Sequence, residues 1–125
     1  QILSRGGAMQ NYKDLLVWKK SHELTLRVYK TVSTFPKEET YSLVSQLKRA
    51  SSSIATNIAE GTGRFSQKDL AHFLQISLGS SHEVEYLLLL SMDLGFINNE
   101  THIQLEKEIN EIKAMLISLI KKVRL

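Results

Sequence analysis

The spacing of apolar residues toward the end of the chain constrains its fold more than any other feature. Leu105, Ile109, Ile112, Leu116, Leu119 and Val123 alternate steps of four and three without a break. Such a series lines one side of an α-helix and has no counterpart on a strand, where a face returns at every second residue. A helix with one apolar side must cover that side. The rest of the chain offers the cover in the same form. One proline, Pro36, and two Gly or Asn clusters near positions 61–65 and 95–99 cut the chain into four segments.

The first segment, Asp14 to about Thr34, places Val17, Leu24, Val28 and Val32 near one face, with Leu15, Trp18 and Tyr29 on its flanks, and Phe35-Pro36 ends it. The second is expected to begin near Glu38-Glu39, where acids suit a helix N-terminus. It aligns Leu43, Val44, Leu47, Ala50, Ile54 and Ile58, and Gly61-Thr62-Gly63 closes it. Ser66 followed by Asp69 reads as an N-cap for the third, which carries Leu70, Phe73, Leu74, Ser77, Ser81, Val84 and Leu88 and stops at Gly95. Asn98 or Asn99 caps the fourth. Short connections make successive helices antiparallel, so the expected fold is an all-α, up-down-up-down four-helix bundle forming a single domain over 9–125. A helical hairpin completed by swapping with another chain is the alternative. Residues 1–8 fit neither a helix nor a signal peptide and are read as a cloning scar.

Several chemistries are disfavoured. There is no cysteine, so there is no disulfide framework or thiolate, a composition compatible with a reducing cytoplasm. No apolar run reaches the roughly 18 to 20 residues of a membrane span. His22, His72, His82 and His102 lack the three- or four-residue spacing of a helical metal site, so neither a metal nor a cofactor is expected. Glu83 and Glu85 point to nearly opposite sides of one helix. Gly61-Thr62-Gly63 follows a helix and lacks the Lys-Ser/Thr ending of a phosphate loop. An enzyme is not expected.

Three surface features exceed what a core needs. Tyr86, Leu87, Leu89 and Leu90 surround the end of the third helix with large apolar groups. A thick local core explains part of them, and a subunit interface explains the rest. On the second helix Gln46, Arg49, Ser53, Asn57 and Glu60 form a polar stripe beside the small residues Ser52, Ala55 and Ala59. The plain reading is a solvated face. If a partner buried the stripe instead, Arg49 would need an acid such as Glu83 or Glu85. Charge is also lopsided: nine Lys or Arg against five acids over 9–65, and six against eight from Ser66 onward. The bundle would gather Lys13, Lys19, Lys20, Arg64, Lys68, Lys121, Lys122 and Arg124 at one pole. Complementing the dipole of the fourth helix accounts for some of these. Pooled in an oligomer, they suit phosphate contacts.

Longer stretches resemble a known family. Tyr12-Lys13-Asp14-Leu15 with Val17-Trp18, then Phe35-Pro36-Lys37-Glu38-Glu39, LVSQLKRA from Leu43, SSSIATNIAEGTGRFS up to Ser66, and FLQISLGSSHEVEYLL from Phe73 are similar to the four-helix-bundle proteins encoded in intervening sequences of bacterial 23S ribosomal RNA genes. The Gln-Leu-x-Arg-Ala, Asn-Ile-Ala-Glu-Gly and Gly-Ser-x-x-Glu elements carry the likeness. Lys48-Arg49 keeps the usual basic pair, while Ser51 to Ser53 are more polar than the family's residues there. Those proteins are cytoplasmic and resemble the accessory protein of diversity-generating retroelements, a pentameric barrel that binds nucleic acid and a reverse transcriptase. The resemblance thus implies a ring-shaped homo-oligomer, a pentamer. The resulting expectation is a non-catalytic scaffold that binds RNA or DNA through Lys19, Lys20, Arg64, Lys68, Lys121 and Lys122. A protein-interaction adaptor, using the leucine-rich end or the polar stripe of Gln46, Arg49, Asn57 and Glu60 with Glu83, is the second reading.

Overall fold

A computed structural model describes residues 11–124 of the protein. The segment 1–8 read as a cloning scar lies outside the described residues. Within them the fold is all-helical: α1 spans Leu16–Val32, α2 Leu43–Thr62, α3 Gln67–Asp93 and α4 Asn99–Arg124, with no strand among the described residues.

The first two helices start later than their sequences suggest. Ahead of α1, Tyr12–Asp14 form a separate 3-10 turn, because the Asn11 side chain accepts a hydrogen bond from the Lys13 amide at 3.0 Å and Leu15 is extended with ψ 127°. Leu15 breaks the helix to bury its side chain. Before α2, Glu38 and Glu39 belong to another 3-10 turn, Lys37–Glu39, and do not open the long helix. Ser42, at φ −123° and ψ −98°, lies outside helical geometry, and its hydroxyl donates to Glu39 Oε1 at 2.8 Å. The acids therefore close their own turn, and α2 begins at Leu43.

The later boundaries follow the local chemistry expected of them. Ser66 Oγ accepts the Asp69 amide at 3.0 Å and caps α3. At the other end Gly95 has φ 81°, with its amide on the Met92 carbonyl and the Phe96 amide on the Ser91 carbonyl, both at 2.9 Å. That double closure needs a left-handed residue, which glycine takes without steric cost. Asn98, not Asn99, caps α4, its Oδ1 accepting the Thr101 amide at 2.7 Å.

The four apolar faces meet in one core, whose fully buried members include Leu24 and Val28 of α1, Leu47, Ile54 and Ile58 of α2, Leu70, Leu74, Val84 and Leu88 of α3, and Ile109, Ile112 and Leu116 of α4. Near the end of α4 Ile120 is buried, while Leu119 lies only partly buried against the core. Each helix touches two others, α1 with α2 and α4, and α3 with α2 and α4, so the bundle closes on itself. Ser77 Oγ donates to the Ile54 carbonyl at 2.8 Å, and Gly61 lies against Leu70 and Phe73. Lys20 meets Glu111 at 3.0 Å and Arg27 meets Glu108 at 2.6 Å.

The polar Ser51–Ser53 run is absorbed by this packing. Ser51 is buried, its hydroxyl donating to the Lys48 carbonyl at 3.2 Å, and its own carbonyl accepts Thr25 Oγ1 at 3.1 Å. Ser53 Oγ is joined by Ser80 Oγ and Asn57 Nδ2, both at 2.9 Å. Every buried side-chain nitrogen or oxygen among the described residues has a partner. Small hydroxyl side chains thus let α2 and α3 pack closely without stranding a polar group.

Candidate nucleic-acid interface

The start of α3 and the end of α4 share one flank of the bundle. Gln67, Lys68, Ala71, His72 and Gln75 line a shallow depression together with Val123 and Arg124. The next depression along the same flank is lined by Gln75, Leu78, Gly79 and His82 from α3 and by Ile117, Ile120, Lys121 and Arg124 from α4. Lys68, Lys121 and Arg124 thus converge on one groove between two helices, and Lys122, exposed, follows in the same last turn of α4. Local helix electrostatics explains the placement of the α4 cations, since Lys121, Lys122 and Arg124 lie where the unpaired carbonyls leave negative charge. His72 and His82, both exposed, flank the groove. Sequence spacing marks them as surface residues; their share in the basic flank follows only from the packing of α3 on α4.

The other predicted cations are not all with them. Lys20 is tied to Glu111, ten residues before Lys121 on α4, which puts it about 15 Å further along that helix. Lys19 is exposed on α1 and lines neither depression. Arg64 sits in the α2–α3 connection, bonded to Glu60 Oε2 at 2.9 Å, with its guanidinium 4.7 Å above the Phe73 ring. Lys13 leans on the Tyr12 ring at 5.9 Å. Arg27 and Lys113 are also engaged, with Glu108 and Glu85. Among the described residues Lys68, Lys121, Lys122 and Arg124 make no ion pair.

The polar stripe stays at the surface in part. Gln46, Arg49 and Glu60 are exposed, while Asn57 is half-buried and donates to the Ser53 carbonyl at 2.8 Å. Among the described residues Arg49 makes no ion pair: Glu83 is exposed, and Glu85 is held by Lys113 at 2.8 Å on the α4 side. At the leucine-rich end the four residues divide. Leu87 is 4% exposed and belongs to the core, and Leu90 packs against it. Tyr86 at 59% and Leu89 at 42% remain outside. Half of the apolar excess therefore serves the chain's own core.

The described residues hold no group of three or more His, Asp or Glu placed to bind a metal, and no helix is long and apolar enough to cross a membrane. Comparison with known families decides membership. The model of the 23S rRNA-intervening sequence protein family matches residues 13–118. The chain belongs to this family. It is also similar to a crystal structure of a protein with unknown function from the S23 ribosomal protein family of Bacteroides thetaiotaomicron. The two share 30% identity at a TM-score of 0.77, over 85% of this chain and 99% of that one. No curated protein matches. The family match reaches all four helices and ends within α4, before Lys121, Lys122 and Arg124.

Proposed function

We propose that this protein is a non-catalytic, cytoplasmic scaffold that binds RNA or DNA through the basic flank where α3 begins and α4 ends. The observation that carries the reading is a contrast within the chain. Lys20, Arg27, Arg64 and Lys113 are each held by a carboxylate, whereas Lys68, Lys121 and Arg124 line one flank and, like Lys122 in the same last turn of α4, make no ion pair among the described residues. Unneutralised cations in a row track a phosphate backbone and release its counterions, giving binding that is salt-dependent and indifferent to sequence. We further propose that the helices run up-down-up-down and that copies assemble into a ring, a pentamer, through the exposed Tyr86 and Leu89. That stoichiometry follows the resemblance expected between this family and the accessory protein of diversity-generating retroelements. A ring repeats the basic flank around its rim.

Filter binding with structured RNA and duplex DNA across a salt series tests this. Retention that fades steeply with salt is expected. Replacing Lys68, Lys121, Lys122 and Arg124 together by Ala lowers the slope of log affinity against log salt by up to ~3.6 per chain for duplex DNA, about 0.9 for each phosphate no longer neutralised. Absence of retention at low salt refutes the reading, and a nuclease-insensitive protein partner would then favour the adaptor. A monomer mass by light scattering at micromolar concentration refutes the ring.

A further inference from the structure

We infer that Phe65 is a stacking platform for an unpaired nucleobase, so that the nucleic acid held on the basic flank is single-stranded at that point. The inference rests on the nucleic-acid reading above and narrows its ligand. Phe65 is 102% exposed, as open as a residue in an extended peptide, although it is a large aromatic in the short connection between α2 and α3. Its position makes this exposure informative. Ser66 is the N-cap of α3, so Phe65 precedes the cap, where an apolar residue ordinarily folds back onto the fourth helical residue. That residue is Leu70, which is fully buried by the core and by Gly61. The usual staple is not made, and the ring does nothing for the fold.

Its neighbours say what it suits. Arg64 beside it is pinned to Glu60 and to the Phe73 ring, which holds the connection in place. Lys68, three residues on, has no acid partner among the described residues and lines the groove that leads to Arg124. Asp69 is the one acid in this first turn of α3; its backbone amide donates to the Ser66 cap, and its exposed carboxylate offsets part of the local positive charge. Phe65 lines a small depression with Arg64 and Glu60, and Lys68 follows within the first turn of α3. A flat apolar ring near Lys or Arg is the pairing by which proteins hold single strands, bases on the aromatic and phosphates on the cation. Tyr41 gives the contrast. It is 95% exposed as well, but it follows Glu38 and Glu39 at the other connection, where a polyanion is repelled. Exposure of an aromatic is thus not enough: Tyr29 is 45% exposed but already has Lys48 Nζ 4.9 Å from its ring, whereas the Phe65 ring stays fully open.

Fluorescence anisotropy on the full chain with labelled oligo-uridine, oligo-thymidine, a duplex of equal length and heparin tests this. Both single strands are expected to bind more tightly than the duplex. Phe65→Ala should weaken single-strand binding about 5- to 150-fold while leaving heparin unchanged, Phe65→Trp should retain it, and Tyr41→Ala should have no effect. Thermal melting shows whether each variant is folded. If the wild type binds single strands and Phe65→Ala binds them equally well, the platform is overturned while the basic flank stands. If Phe65→Ala instead lowers the mass seen by light scattering, Phe65 is a contact between copies and the inference fails. If the wild type binds none of the four polyanions, both readings fall.

Discussion

Two glycines in helices give the sharpest test of how α2 and α3 are packed. A Cβ added at Gly61 would sit 3.0 Å from Leu70 Cδ1, 3.0 Å from Phe73 Cβ and 3.3 Å from the Leu70 carbonyl oxygen. The Leu70 methyl can rotate away, but Phe73 Cβ and the carbonyl belong to the frame of α3, so the helices must part. Such overpacking costs about 1 to 3 kcal/mol. Alanine returns part of this through its helix propensity, about 0.5 kcal/mol so near the end of α2. The net loss for Gly61→Ala is therefore about 0.5 to 2.5 kcal/mol. At Gly79, in the middle of α3, an added Cβ meets nothing within 4 Å. Only propensity acts there, and Gly79→Ala should stabilise the chain by about 1 kcal/mol. The same chemical change thus has opposite signs at two positions. Urea unfolding followed by far-ultraviolet circular dichroism reads both, at one protein concentration because self-association shifts the midpoint. For a chain of this size the melting temperature of Gly61→Ala should fall by roughly 2 to 10 °C. A Gly61→Ala midpoint at or above that of the wild type would refute the close α2–α3 contact. A lowered Gly79→Ala midpoint would show that another chain lies against that groove.

Leu87→Ala opens a cavity in the core and should cost about 2 to 5 kcal/mol, whereas Leu89→Glu should change the chain's own stability by no more than about 0.5 kcal/mol and lower the assembled mass. Denaturation and light scattering on the two variants separate core from interface, and equal destabilisation by both would contradict the burial seen for α3. Ser66→Ala removes the cap on the Asp69 amide and should cost about 1 kcal/mol in thermal unfolding, most of it recovered in Ser66→Asn.

Much of the fold was legible in the sequence because it depends on local chemistry. Leu105, Ile109, Ile112, Leu116 and Val123 reappear in the core, with Ile120 in place of Leu119, as do most of the apolar faces of the other helices, since a period near 3.6 can bury one side only. Ser66, Gly95 and Asn98 act as caps through bonds to backbone groups within a few residues, which sequence distance alone makes available. The late start of α2 marks where such local rules stop: Glu38 and Glu39 do favour a helical turn, but Ser42 ends it before Leu43.

The site was less legible, because which charges remain unpaired is settled between helices. Lys20 and Lys121 look alike in the sequence. Packing places Glu111 3.0 Å from Lys20 and leaves Lys121 in a groove with Arg124, without an acid partner among the described residues. Leu87 and Leu89 are likewise equivalent as letters, and the rotation of α3 against its neighbours puts one in the core and one in solvent. Phe65 gave no signal at all, since an apolar residue before an N-cap ordinarily folds back. The sequence by itself determined four helices, their buried faces and most of their caps, which are short-range consequences of period and hydrogen bonding. Tertiary structure decided which cations, leucines and aromatic rings were left over, because that depends on partners brought close from distant parts of the chain.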